Sequence, residues 1–252
     1  MKKTDVLVIG GSAAGMVVSL TGKANYPDKS FTMIKKQKDV MVPCGIPYIF
    51  GTLDSSQLNI MPVDNMMEKA GVTSLVGEVV AVDRAAKSAK MADGEVIEYD
   101  KLVLATGSTP VIPKWLKGGD KKNVYTVPKD RIYLDEMKEK LAGAHRVVVI
   151  GAGFIGVEFS DEFAKHGHEV VLVEKLSHIL ALAFDPELSE KIETLLKDRG
   201  VNVRTGTGVT EIIGDDTVKG VKLENGDVID ADAVVLSMGY LPNSGLARES
   251  GI

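Results

Sequence analysis

Val6-Leu7-Val8-Ile9 runs into Gly10-Gly11-Ser12-Ala13-Ala14-Gly15, and Val147-Val148-Val149-Ile150 runs into Gly151-Ala152-Gly153-Phe154-Ile155-Gly156. These stretches read as one module written twice. In each, a short β-branched run ends at a glycine-rich turn, as a buried parallel strand feeding a helix should. Each copy then leads through a hairpin-like region to an apolar strand and a Gly-x-x-Pro step. The first runs from Gly71-Val72 to Ala105-Thr106-Gly107-Ser108-Thr109-Pro110, the second from Gly200-Val201 to Ser237-Met238-Gly239-Tyr240-Leu241-Pro242. Asp93-Gly94 and Asn225-Gly226 are hairpin turn signals at equivalent places. The duplicate order predicts an α/β fold of two Rossmann-like, three-layer dinucleotide-binding domains, each with a β-meander insertion. One glycine loop alone is a weak signal. Two in the same context imply two dinucleotides side by side, an arrangement that serves mainly to pass electrons between them.

At 252 residues the chain suits two domains of about a hundred residues each. A formal charge of −5 argues against nucleic acid as a partner, since phosphate binding needs a basic face. No apolar run approaches the ~20 residues of a membrane span. Met1-Lys2-Lys3 before an apolar run resembles a secretion signal, but the glycines that interrupt it favour a first β-strand. One cysteine allows no internal disulfide and no cysteine-based zinc site, and no metal is expected. A cytoplasmic enzyme is the default expectation.

Between the modules we expect a strand over 30–34, a helix over 63–70, strands near 72–82, 86–91 and 96–99, and a buried strand over 101–105. Residues 111–124 read as a crossover and 131–142 as a charged helix. The second copy continues with a helix over 156–165, a strand over 169–174 and a helix over 185–199.

The second loop matches the full G-x-G-x-x-G pattern. Gly151 permits the tight turn, Gly153 lets backbone approach a pyrophosphate, and Gly156 lets helix and strand pack closely. The following helix N-terminus offers free N–H groups to phosphate. Glu174, about 20 residues on, is placed to accept from a ribose 2′-hydroxyl and would repel a 2′-phosphate, so NADH is expected over NADPH. Lys175 softens that preference. The first loop departs from the pattern, with Ser12 at the middle glycine and Lys35-Lys36 where the strand should end in an acid. The ribose there must be held otherwise, and the lysines read as solvated surface. Cys44 is the only thiol. It is either an inert side chain or a redox group, and between Pro43 and Pro47 it reads as opening a short helix whose dipole favours thiolate.

These residues resemble the flavoprotein pyridine nucleotide–disulfide reductase family, within it the single-cysteine group of coenzyme A disulfide reductases, NADH oxidases, NADH peroxidases and persulfide or polysulfide reductases. The likeness rests on Gly10 to Gly15, Pro43-Cys44-Gly45-Ile46-Pro47-Tyr48, Tyr99 to Gly107, Gly151 to Glu158, and Gly239-Tyr240-Leu241-Pro242-Asn243. It implies an FAD domain over 1–110, an NAD(P)H domain over 111–240, and a return toward the first domain over 241–252. It assigns FAD to Gly10, Gly11, Ser12, Ala13, Ala14 and Gly15 and to Ala105, Thr106 and Gly107, with Lys35, Pro43 and Val79 as further cofactor-binding candidates. NADH is assigned to Gly151, Gly153, Phe154, Ile155, Gly156, Glu174, Lys175 and Gly239, with Glu158 as the acid near the nicotinamide.

The resemblance further implies hydride transfer from NADH to flavin and onward to a disulfide at Cys44. Ala13 stands where the peroxidase and oxidase branch carries histidine, and the coenzyme A positions are incomplete. Reduction of a small disulfide, coenzyme A disulfide, persulfide or polysulfide is therefore the favoured expectation. The alternatives are an NADH oxidase, an NADH-dependent reductase of a protein carrier such as rubredoxin or ferredoxin, and a nucleotide-binding fragment without turnover. Relatives continue past the point matching Ile252 into a second flavin segment and a dimerisation domain. A homodimer is expected of a full-length form, and weak FAD retention and poor turnover of these residues alone.

Overall fold

The computed structural model describes residues 2–252, and they divide into two compact units, both α/β. The first takes the residues up to Val42, Ile60–Thr109 and Pro242–Ile252; the second takes Pro43–Asn59 and Pro110–Leu241. The division is thus not a single cut near residue 110.

In the first unit a six-stranded sheet has the order Thr73–Val76, Phe31–Lys35, Lys2–Ile9, Val96–Leu104, Ser88–Met91, Val79–Asp83. The first four strands are parallel and the last two joins are antiparallel. Alternation along Lys2–Ile9 sends Val8 into one core with Met16, Phe31, Met33 and Met67. Leu7 and Ile9 go to the other face, with Ile34, Ile97 and Tyr99. Both faces of its Leu7–Ile9 end are therefore dry, as the run of apolar residues there requires. The two strands expected over 96–99 and 101–105 are one, Val96–Leu104. The exposed Asp100-Lys101 does not interrupt it, because Lys2–Thr4 pairs alongside Ile97–Tyr99 and keeps the ladder closed.

The second unit has a five-stranded, all-parallel sheet ordered Val124–Thr126, Ala233–Leu236, Arg146–Ile150, Glu169–Val173, Asn202–Arg204. The edge strand Val124–Thr126 closes the stretch that the sequence reads as crossover. Val148, Ile150, Val171, Val173 and Val234 face the separate antiparallel meander Val209–Ile213, Gly220–Leu223, Val228–Asp230, which contributes Ile212, Val221 and Leu223 to the same core. Helices Arg131–Leu141, Phe154–Lys165 and Pro186–Asp198 complete the unit. Asp130 and Asp185 cap the first and third of these through backbone N–H groups of Tyr133 and Leu188.

Pro43–Asn59, which carries Cys44, is fixed to the helix Phe154–Lys165. The Phe50 ring sits 5.0 Å from Phe159 and 5.6 Å from Phe163. Thr52 donates to the buried Glu162 carboxylate at 2.7 Å, and Lys165 pairs with the other oxygen at 2.7 Å. Gly51 lies so close that a Cβ there would stand 2.3 Å from the Glu162 carbonyl. Lys138 closes the segment by donating to the Leu53 carbonyl at 3.1 Å. Phe50 is 2% exposed, so Phe50→Ala is expected to cost about 3–5 kcal/mol. Urea unfolding should show that loss, and limited proteolysis should cut first within 43–59.

Candidate functional site

The two glycine turns have nearly the same geometry. Gly10 and Gly151 adopt φ of +120° and +97°. Each donates its N–H at 2.8 Å to a carbonyl near the end of the strand alongside, Gly10 to Ile34 and Gly151 to Val173. Added Cβ atoms would lie 1.8 Å from the Gly10 carbonyl at Gly15, and 1.9 Å from the Gly151 carbonyl at Gly156. Only hydrogen fits at either position. At Gly153 nothing lies within 4 Å, so the turn there is open to a ligand. Helices Ala13–Asn25 and Phe154–Lys165 start from Ser12 and Gly153 with no side-chain cap and no acid in the first turn. Two sets of first-turn N–H groups without a competing carboxylate fit the diphosphates of two dinucleotides.

In the second unit a cavity of about 650 Å³ opens at this turn. Gly151, Gly153, Phe154, Ile155, Glu174, Lys175 and Gly239 all line it. Gly156 serves packing instead. Glu174 is oriented by two backbone donors, Ala152 N–H at 2.7 Å and Leu176 N–H at 2.9 Å. Ser237 donates to the Ile150 and Gly151 carbonyls and ties the turn to strand Ala233–Leu236. Glu158 is half-buried one turn into the helix, and burial pushes its carboxyl above the ordinary range. Sequence reasoning missed Trp115, Thr207, Gly208 and Glu224 in this lining. They come from loops and the meander, which carry no nucleotide motif.

In the first unit Gly10, Val79 and Thr106 line one cavity of about 470 Å³ with Lys36, Glu78 and Asn243. Asn243 lies outside the binding positions that the sequence suggests, yet it lines this cavity. It accepts from the Thr109 hydroxyl, and its side-chain N–H donates to the Thr106 carbonyl at 2.9 Å. Its own N–H donates to Gly107. Gly11, Ser12, Ala13, Ala14 and Ala105 build the turn rather than that cavity. Gly107 takes a φ of +71°.

Lys35 is the clearest correction. It occupies the place equivalent to Glu174, but it is not solvated surface: it is 3% exposed. Its Nζ donates to the Lys38 carbonyl at 2.6 Å and to Asp64 at 2.9 Å. Its Cβ lies where a Cβ on Gly11 would need to go, at 2.4 Å. Lys36 is the exposed member, paired with Glu78 at 2.8 Å. The Lys35 and Ser74 hydrogen bonds hold the Asp64 carboxyl below its usual range. A depressed carboxyl contributes stability above the unfolded value of about 3.9 and loses it as pH falls through the folded value. Asp64→Asn should therefore lower the urea midpoint at pH 7, with the gap to wild type narrowing below about pH 4.

Cys44 is exposed and does not open a helix. It is the middle residue of a single 3₁₀ turn, Pro43–Gly45, closed by Ile46 N–H to the Pro43 carbonyl at 3.3 Å. Pro47 has no N–H to extend that turn, and a second 3₁₀ turn, Pro47–Phe50, starts afresh. The expected helix dipole at the thiol is therefore missing. Gly45 is required instead, since a Cβ there would stand 2.0 Å from the Asn59 side-chain oxygen. Pro43 belongs to the second unit by its contacts.

The family model described as "Pyridine nucleotide-disulphide oxidoreductase" matches residues 4–252. A relative from Pyrococcus abyssi named NAD(P)H sulfur oxidoreductase (CoA-dependent) is 35% identical over 258 aligned positions, covering 100% of this chain and 57% of the relative. A structure of an NAD-dependent persulfide reductase from A. fulgidus superposes with a TM-score of 0.87 at 30% identity, over 98% of this chain and 48% of that one. A ferredoxin reductase from Rhodopseudomonas palustris gives 0.89 at 27% identity, over 98% and 62%. The chain thus spans a little over half the length of the curated relatives it matches. Among the described residues no helix is long and apolar enough to cross a membrane.

Proposed function

The chain belongs to the pyridine nucleotide-disulphide oxidoreductase family, and from that premise we propose that it forms the dinucleotide-binding part of an FAD-dependent NAD(P)H oxidoreductase. Its cofactors are FAD and a pyridine nucleotide. In our reading the substrate is a small disulfide, coenzyme A disulfide, persulfide or polysulfide, and Cys44 is the residue that meets it. The observation that carries this reading is the placement of the sole thiol. Cys44 is exposed on a segment anchored to the very helix whose N-terminus opens on the second glycine turn.

The residues divide the work by chemistry. Gly10 to Gly15 and the helix behind them hold the FAD diphosphate, with Val79 and Thr106 lining the adjoining cavity. Gly151 to Gly156 hold the diphosphate of the nicotinamide dinucleotide, and Glu174 accepts from its ribose. Glu158, whose carboxyl burial pushes up, can carry a proton at the second turn of its helix. Bound FAD supplies a two-electron relay between nicotinamide and sulfur. The Cys44 thiolate attacks one sulfur of the substrate, so a Cys44–sulfur bond forms, the original S–S bond breaks and one thiol leaves with a proton. Two electrons and a proton then release the second thiol and restore Cys44.

A second reading, reduction of a protein carrier with Cys44 structural, is favoured by the likeness to the ferredoxin reductase. The FAD-loaded chain supplied with NADH separates the two. The disulfide reading expects two thiols released per NADH from a low-molecular-weight disulfide, or sulfide from polysulfide. NADH oxidation that proceeds only with a ferredoxin or rubredoxin present would overturn it.

A further inference from the structure

We propose that Glu224 is a second determinant of dinucleotide choice in the second unit, excluding a 2′-phosphate by holding Lys175 away from it. The inference rests on reading the 650 Å³ cavity as the pyridine nucleotide site. The sequence alone makes Lys175 a residue that softens the NADH preference set by its neighbour Glu174. The geometry removes that softening. Lys175 Nζ lies 2.9 Å from Glu224 Oε1. Glu224 is positioned for this from both sides: its own N–H donates to the Gly208 carbonyl at 2.8 Å, and its second carboxylate oxygen accepts from Gly208 N–H at 3.2 Å. Gly208 leaves the space it needs, since a Cβ there would stand 2.7 Å from the carboxylate. The lysine and the Gly208 amide hold the Glu224 carboxyl below its ordinary range.

Glu174, Lys175, Gly208 and Glu224 all line the same cavity. At its acidic end a ligand meets two carboxylates and one cation that is already paired. A ribose diol needs only an acceptor, which Glu174 supplies. A 2′-phosphate brings about −1.5 to −2 charge at neutral pH and needs a free cation. Here it would compete with Glu224 for Lys175, in an exposed pair of modest strength, and would lie beside that carboxylate. Specificity of this kind comes from a built-in penalty against the competitor as much as from attraction to the chosen ligand.

The test uses the whole chain and reads equilibrium binding of NADH and NADPH through the fluorescence of Trp115, the only tryptophan, which lines this cavity. Wild type should bind NADH more tightly than NADPH. Glu224→Gln keeps an acceptor for Gly208 N–H but frees Lys175, and should move the ratio of the two dissociation constants toward NADPH by about tenfold. Adding Lys175→Met to Glu224→Gln should take back most of that gain. If Glu224→Gln does not fold, Glu224→Asp, whose carboxylate falls short of the lysine, must move the ratio in the same direction. An unchanged ratio in a folded Glu224 variant overturns the proposal, as does a gain that survives loss of Lys175 undiminished. Wild type binding neither nucleotide would instead overturn the reading of the cavity itself, and the two failures are told apart by that control.

Discussion

Cys44→Ser is expected to lower reduction of a small disulfide or polysulfide by about a thousandfold or more, while NADH-driven reduction of an artificial dye keeps most of its rate. Serine preserves the size of the side chain in an exposed 3₁₀ turn, so neither the Pro43–Gly45 turn nor the Phe50 anchor should change. What disappears is the chemistry. A hydroxyl is not ionised at neutral pH, forms no bond to sulfur under these conditions and cannot be reduced back. No other thiol in the chain can stand in. The paired assays make the result specific, because on the proposed reading dye reduction would use both dinucleotide sites and bypass the sulfur. Loss of both activities would point to a damaged fold, and retention of both would place the substrate sulfur elsewhere and remove Cys44 from the reaction.

Gly156→Val should abolish measurable NADH binding, a weakening of at least about a hundredfold, and lower stability by about 3 kcal/mol. The new Cβ would stand 1.9 Å from the Gly151 carbonyl and 2.7 Å from the Ser237 hydroxyl. The carbonyl is backbone within a turn at φ +97° and cannot swing aside. The helix Phe154–Lys165 must therefore move off the strand, which takes its first N–H groups away from the diphosphate. Gly15→Val is the mirror experiment, with its Cβ 1.8 Å from the Gly10 carbonyl. It should lose FAD and spare NADH. Crossed losses, in which either variant removes both ligands equally, would show that the two turns do not serve separate sites.

The glycine turns were legible in the sequence because backbone at positive φ and contacts below van der Waals distance leave no other residue possible. The Asp93-Gly94 and Asn225-Gly226 turns were legible through positive φ alone, +92° at each glycine, with open space around both. What escaped notice depends on partners far along the chain. Phe50 looks like any apolar residue of its segment, and nothing near it announces Phe159 and Phe163. That long-range contact decides which unit carries Cys44. By residue type alone Lys35 reads as solvated, because lysines usually are. Its burial depends on Asp64, which sits on a helix 29 residues later. Glu224 meets Lys175 across 49 residues, between a loop and a hairpin with no shared motif. The expected helix at Cys44 failed locally, because the Pro47 ring that looked like a helix start is also what prevents one turn from growing into the next.

The aromatic clasp of Phe50 on Phe159 and Phe163 has a mechanical consequence. The Cys44 sulfur rides on the same lever as the second glycine turn, so a tilt of that helix transmits to the sulfur directly. On the proposed reading, any rearrangement on nucleotide arrival would reposition that sulfur without a separate hinge.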